Sequence, residues 1–239
     1  MTLRIGTAGW SVPGALADRF ARQGGVLERY ATGFNAVEIN SSFYRPHQPK
    51  TYERWARTTP TDFRFAVKAP RAITHDARLV DCTAALDAFL AQAGALGAKL
   101  GPILVQLPPS LAFEPDVAGR FFGELRGRFD GGLACEPRHG SWFGRAADGL
   151  LTAHRVGRCA ADPVRHPLAG KPGGWGGLAY WRLHGSPRMY YSAYDDEALA
   201  QLGQDLANSP ADETWCIFDN TALGAAAEDA LKLQVLAAE

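Results

Sequence analysis

Residues 3–10 read Leu3-Arg4-Ile5-Gly6-Thr7-Ala8-Gly9-Trp10, and the last five of them decide between two folds. A β-like run ends there in a glycine-bearing turn. A doubly wound open sheet announces its phosphate loop at this place as Gly-x-Gly-x-x-Gly, where the glycines clear room for a pyrophosphate. Here Gly6 and Gly9 stand three apart and Trp10 follows. The turn does not announce a dinucleotide.

Seven more β-rich runs follow the first, at 36–40, 64–69, 102–108, 133–138, 157–162, 178–185 and 214–220. Successive runs start 21 to 38 residues apart, about one βα unit each. Helical patterns fill most of the gaps. Leu86, Phe89, Leu90, Ala93 and Leu96 form one apolar stripe, and Val117, Phe121, Leu125 and Phe129 form another behind the start signal Glu114-Pro115-Asp116. Leu199, Leu202 and Leu206 follow the seventh run, and 227–236 closes the chain. The stretch 163–177, with three prolines and five glycines, reads as an irregular loop. Eight alternating units in 239 residues predict a single (β/α)8 TIM-type barrel over 1–239, its helix after strand six irregular or missing.

Alternation within the runs predicts which side chains enter the barrel. Val37, Ile39, Phe65, Val67, Leu133, Cys135, Trp181 and Leu183 suit the helix side. Their neighbours Glu38, Asn40, Lys68, Glu136, Arg138, Arg182 and His184 then face inward. The same reading sets Cys159 and Ala161 outside, with Ala160 and Asp162 inside. Gln106 is added from run four. At the end of run eight parity admits only one of Asp219 and Asn220, and Asn220 is placed in the ring. The polar members fall late in their runs, towards the strand C-termini, where barrel enzymes keep their sites.

Composition narrows the function classes. Basic and acidic residues number 25 each, so no basic surplus points to nucleic acid. An apolar content of 46% with zero net charge excludes a disordered chain. The apolar runs are too short to cross a bilayer, and the N-terminus has no signal-peptide pattern, so a cytoplasmic protein without a membrane partner is expected. Four scattered cysteines without a Cys-x-x-Cys pair are expected to be buried, reduced thiols.

Seven segments then resemble one family in order. They are Gly6-Thr7-Ala8-Gly9-Trp10, Glu38-Ile39-Asn40-Ser41-Ser42-Phe43-Tyr44-Arg45, Phe65-Ala66-Val67-Lys68 with Thr74-His75, and 100–109 around Gln106. Glu136-Pro137-Arg138-His139-Gly140-Ser141-Trp142, Arg182-Leu183-His184-Gly185 and Phe218-Asp219-Asn220-Thr221 complete the set. The chain thereby resembles the YecE-like family, from residue 5 to about residue 231. The resemblance implies a TIM barrel of unknown function and brings no reaction with it. Residues 11–18 are shorter and less aromatic than that family's first loop.

The residues themselves suggest acid–base chemistry on a small polar, anionic molecule. Glu136, His139, His184 and Lys68 are the catalytic candidates. Glu38, Asn40, Tyr44, Gln106, Arg138, Arg182 and Asn220 are the candidates for substrate binding. Arg138 would hold the anion while Glu136 or His139 moves a proton. Lys68, if desolvated beside another cation, could act as an amine nucleophile. His75 could either cap a turn or reach the site. A metal could be held by Glu38, Glu136, Asp162 and His184, yet Lys68, Arg138 and Arg182 would repel it, so none is expected. A second anion corner is expected from Gly185, Ser186, Arg188, Thr221 and Gly224, opposite Arg182 at the start of the last helix. The rival functions are a metal-dependent phosphoesterase or isomerase and a non-catalytic ligand or nucleic-acid module. No Gly-x-Ser-x-Gly elbow supports a serine hydrolase. The sequence names no cofactor, substrate or oligomeric state.

Overall fold

Strand and helix alternate along the chain in the computed structural model, which describes residues 2–237. The order is β1 (Thr2–Thr7), α1 (Val26–Tyr30), β2 (Ala36–Ile39), α2 (Pro49–Arg57), β3 (Arg64–Lys68), α3 (Thr83–Ala93), β4 (Leu100–Gln106) and α4 (Pro115–Arg126). Then come β5 (Leu133–Glu136), α5 (Arg145–Ala153), β6 (Val156–Arg158), β7 (Ala160–Asp162), β8 (Gly173–Gly174), β9 (Leu178–Leu183), α6 (Asp196–Ala207), β10 (Glu213–Phe218) and α7 (Ala225–Leu236). The helices start where local chemistry lets them. Pro49 and Pro115 open α2 and α4 at positions whose N–H would be unpaired anyway. Asp195 accepts from Ala198 N at 2.8 Å and caps α6.

Ten strands in two sheets replace the eight runs read from the sequence. One sheet runs β1-β10-β9-β7 and the other β2-β3-β4-β5-β6-β8. All pairs are parallel except β6 with the two-residue β8. The count rises because the sixth run changes partner halfway. Val156–Arg158 pair with β5 and Ala160–Asp162 with β9, while Cys159 between them donates its N–H to Cys135 O at 2.8 Å. No α-helix occupies 163–177, as expected.

At the other meeting of the sheets, side chains do much of the bonding. A single bridge pairs Ala8 with Glu38. The Tyr30 hydroxyl accepts from Thr7 N at 2.9 Å and donates to Ala36 O at 3.0 Å. Asn35 accepts from Ile5 N at 3.2 Å and donates to Leu3 O at 3.1 Å. The strands come so close here that a Cβ on Gly6 would strike the Ala36 carbonyl.

Two apolar clusters flank the strands. The larger packs strand residues such as Val37, Ile39, Phe65, Val67, Cys135 and Leu183 against the helices. The smaller is made from strand residues and Cys159 at the join of β6 and β7, among them Ala66, Leu104, Ala134, Tyr180, Trp215 and Ile217. Tyr180 and Trp215 stack there with ring centroids 6.0 Å apart and planes almost parallel. Each fully buried Leu, Ile or Phe side chain contributes roughly 1.5–3 kcal/mol, so this layering fixes strand facing firmly.

The alternation read from the sequence holds for runs two, three, five and seven and is reversed for run six. Cys159 joins the inner cluster and Ala160 the outer one. Register explains it: Ala134 aligns with Gly157, and Ala161 with inward Arg182, so 157, 159 and 161 share the inner face. Asp162 therefore points outward, where its carboxylate accepts from Tyr194 Oη at 2.6 Å. Four buried free cysteines match the expected thiols. No described helix is long and apolar enough to cross a membrane.

Candidate functional site

Arg182, near the end of β9, is wholly buried and bonds three carboxylates. Its Nε and Nη2 meet Glu38 Oε2 and Oε1 at 2.9 and 2.7 Å, a bidentate fork from β2. Its Nη1 reaches Glu136 Oε2 on β5 at 2.7 Å, and Nη2 reaches Asp219 Oδ2 just past β10 at 3.0 Å. Tyr180 Oη donates to Glu38 Oε2 at 2.9 Å. Burial acts against the Arg182 charge, but Glu38, Glu136 and Asp219 outweigh it and hold its pKa well above the ordinary value. The guanidinium is thus a permanent cation, and it gathers three strands' carboxylates at one level.

One layer nearer the strand ends stands His184, also fully buried. Its Nδ1 lies 3.1 Å from Asp219 Oδ2, and its Nε2 lies 3.1 Å from Glu136 Oε1 and 2.7 Å from Arg138 Nη2. A guanidinium only donates. A carboxylate only accepts, so Nδ1 donates to Asp219, while Nε2 stands between the donor Arg138 and the acceptor Glu136. Arg138 also pairs with Glu136. Burial pushes the Glu136 carboxyl up, but Arg138, Arg182 and His184 pull it well below the usual carboxylate value. Asp219 is lowered in the same way, burial being overcome by Arg182 and His184. Tyr190 stands edge-on to His184 with ring centroids 5.8 Å apart. It holds a left-handed φ of 70°, a strained conformation for a non-glycine residue.

Lys68, ending β3, is 5% exposed and belongs to the same group. Its Nζ lies over the Phe43 ring at 4.1 Å. Burial first, and then Arg182, bring its pKa down to about 8, against opposing contributions from Glu38, Glu136 and Asp219.

Other sequence candidates separate from this group or stand at its edge. Asn40 and Gln106 are half-buried at the ends of β2 and β4, and Gln106 is in register with Glu136. Asn220 is corrected. Its Nδ2 donates to Ser192 O and Asp229 Oδ2 at 2.9 and 2.7 Å, tying a loop to α7, and Asp219 takes the inward place. Ile217 aligns with Arg182 on the inner face, so the residue two further on must be the inward one. His139 is corrected too: its Nδ1 accepts from Ser141 N at 3.2 Å and caps the turn 140–143. Tyr44 is 76% exposed and touches the group only through Phe43, 5.0 Å away between ring centroids.

One further expectation changes, and the residues weighed as an alternative metal set do not assemble. Glu38, Glu136, Asp162 and His184 do not converge as metal ligands, since Arg182 takes the first two and Tyr194 the third. The expected anion corner by α7 is filled by protein groups. Gly185 N donates to Tyr194 Oη at 2.7 Å, Asp229 occupies the corner as an acceptor, and Arg182 faces the three carboxylates instead.

Comparison with known proteins places this geometry in a family. The family described as "Protein of unknown function DUF72" matches residues 4–239. The chain belongs to the DUF72 family. It is 34% identical to the UPF0759 protein YecE of Escherichia coli K12 over 146 residues, 60% of this chain and 51% of that protein. It is also 31% identical to the UPF0759 protein YunF of Bacillus subtilis over 70 residues, 29% of this chain and 25% of that one. The aligned segment thus spans about half the length of the longer curated match. A DUF72 protein of Thermotoga maritima superposes with a TM-score of 0.83 at 25% identity, covering all of both chains. A DUF72 protein of Enterococcus faecalis does so at 0.83 and 21%, covering 100% of this chain and 96% of that one. A xylose isomerase-like TIM barrel/4-hydroxyphenylpyruvate dioxygenase fusion protein gives 0.51 at 13% identity, covering 97% of this chain and 41% of that one, a likeness of fold alone. For this DUF72 chain the shared architecture is a mixed α/β fold with a TIM-barrel-like neighbour.

Proposed function

We propose that the two sheets form one eight-stranded (β/α)8 barrel, and that its mouth performs acid–base catalysis on a small anionic substrate. The barrel reading is supported by the cyclic strand order. The Ala8–Glu38 bridge joins one pair of sheet edges, and the sixth run, bonded to β5 and β9, joins the other. In this reading Asp219 fixes the tautomer and orientation of His184, and His184 Nε2 takes the substrate proton. Arg138 binds the substrate's negative charge and frees Nε2 as it does so. Glu136 sits where it can hold the resulting imidazolium, and Tyr190 covers the ring edge.

The observation that carries this is an unmet bond. Arg138 Nε and Asn40 Oδ1 are buried at the strand ends with no partner among the described residues, although the Arg138 side chain is only 8% exposed. A buried guanidinium N–H without an acceptor costs free energy, and a bound anion would satisfy it. Three buried acids and four buried basic side chains also make a poor device for stability alone, since an apolar plug of equal volume would do as well or better.

Calorimetric titration with oxalate and with inorganic phosphate tests the reading. The wild-type protein is expected to bind at least one of them, and Arg138→Gln to weaken that binding tenfold or more, about 1.4 kcal/mol. Binding of neither anion, or binding indifferent to the substitution, would sink it.

A further inference from the structure

The geometry points to Lys68 as an amine nucleophile that condenses with the carbonyl carbon of a small oxo acid bound at the mouth. This rests on the acid–base reading above and narrows its substrate to compounds carrying both a carbonyl and an acidic group.

Five lysines occur in the chain, and their surroundings differ. Lys50 and Lys171 are exposed. Lys99 is bound by the Ala56 and Thr59 carbonyls, and Lys232 is paired with Asp196 and Glu228. Lys68 alone is buried with no hydrogen bond or ion pair to its ammonium among the described residues. Glu38 and Glu136, the strand carboxylates of the group, are both taken by Arg182. A lysine that serves only to bind anions or hold strands together gains from a carboxylate neighbour. One that must lose its proton to react gains from having none.

The neighbourhood suits the chemistry. Ser42 Oγ donates to Lys68 O at 2.7 Å, fixing the Phe43 ring under the amine. His75 also packs against the Phe43 ring, edge-to-face with centroids 4.9 Å apart. Burial, and then the charges of Lys68 and Arg71, lower its pKa, so at neutral pH it is an uncharged imidazole able to exchange protons. The charged and titratable groups that act on the Lys68 amine are Arg182 from β9, Glu38 from β2, Glu136 from β5, Asp219 after β10 and His75 after β3. With a pKa of about 8, about one Lys68 amine in ten is neutral at pH 7, against about one in 2,500 for an ordinary lysine.

The step balances without an oxidant or reductant. The neutral amine adds to the carbonyl carbon, the π pair moves to oxygen, and the proton released from nitrogen passes to that oxygen. The carbinolamine oxygen then takes a second proton from solvent and leaves as water, while the nitrogen lone pair closes the iminium. Its positive charge takes the place of the ammonium's among Glu38, Glu136 and Asp219.

Reductive trapping tests this. The full chain is incubated with glyoxylate, or with uncharged glycolaldehyde, and sodium cyanoborohydride, which reduces the iminium to a stable secondary amine. Peptide mass spectrometry then reads each lysine. With glyoxylate at pH 7, Lys68 is expected to carry at least tenfold more carboxymethyl label than Lys50 or Lys171, with half-maximal labelling near pH 8. Lys68→Arg should lose the label at this position, and Lys68→Met serves if the arginine variant does not fold. Labelling of Lys68 no faster than of Lys50 overturns the inference, as does a half-maximum near the ordinary lysine value. If oxalate or phosphate still binds through Arg138 while Lys68 stays unlabelled, the inference fails and the acid–base reading survives. If both aldehydes label Lys68 equally and Arg138→Gln changes neither, Lys68 is a nucleophile and the anion reading fails.

Discussion

The carboxylate of Asp219 meets Nδ1 of His184 at 3.1 Å while its same oxygen accepts from Arg182 at 3.0 Å. The two contacts hold Asp219 ionised, against the effect of burial. A carboxyl whose folded pKa lies below its unfolded value adds stability above the unfolded value, near 4, and loses it as pH falls through the lowered folded value. Glu136 is held low by its cationic neighbours in the same way and adds to the same loss. Urea midpoints measured from pH 7 down to pH 3 should therefore fall steeply below about pH 4. Asp219→Asn should flatten that fall, since its own contribution is gone at every pH. An unchanged slope in the variant would contradict the placement of Asp219.

Glu38 and Arg138 should behave oppositely when neutralised. Glu38 has no exposure and takes a bidentate Arg182 fork and the Tyr180 hydroxyl, so Glu38→Gln breaks a buried pair. That loss is expected to cost about 3–5 kcal/mol in denaturant unfolding. Arg138→Gln leaves Glu136 still bonded to Arg182, so its stability loss should be well under that of Glu38→Gln. Its effect should appear in anion binding instead. If Arg138→Gln proves the more destabilising of the two, the array is a structural plug.

Much of this site was legible in the sequence, and the misses share one cause. Runs two, three, five and seven alternate apolar and polar residues, so parity alone set Glu38, Lys68, Glu136, Arg138, Arg182 and His184 inward. Run six offers Gly157, Cys159, Ala160 and Ala161, with no contrast to read, and its facing was taken from Asp162 alone. Register with Ala134 and Arg182 reverses it. Asp219 and Asn220 are both polar, so only the inward seat of Ile217 separates them. His139 and Tyr44 were drawn in by motif adjacency, although both lie in turns where a local cap or solvent competes. The Tyr30 and Asn35 bonds to β1 were invisible for another reason. A side chain that bridges backbone groups leaves no periodic trace.

Those bonds carry a prediction of their own. Removing the Tyr30 hydroxyl leaves Thr7 N–H and Ala36 C=O without their partner where β1 and β2 meet. Tyr30 is fully buried, so water cannot readily replace it. Tyr30→Phe should cost about 1–3 kcal/mol. Hydrogen exchange at the Thr7 amide should accelerate more than that of the β9–β10 amides. Uniform acceleration would mean that the hydroxyl stabilises the chain globally and not that seam.

Lys68 should make the protein less stable than it needs to be. Its folded pKa of about 8 lies below the unfolded value, near 10.4, so between those limits the unfolded chain binds more protons. Stability therefore rises with pH through that window, as far as Lys68 governs it, and the burial penalty is complete below about pH 8. The shift corresponds to roughly 3 kcal/mol, of which lost contacts to Phe43 and the neighbouring carboxylates would return part. Lys68→Met keeps an unbranched apolar stem, one atom shorter, while removing the charge. It is expected to raise stability at pH 7 by on the order of 1–3 kcal/mol, with the gain shrinking towards pH 10. Urea unfolding of both proteins at pH 7, 9 and 10 reads this directly. A methionine variant less stable than wild type at pH 7 would show that the ammonium holds the strand ends together, and would remove the reason for treating Lys68 as a reactive amine.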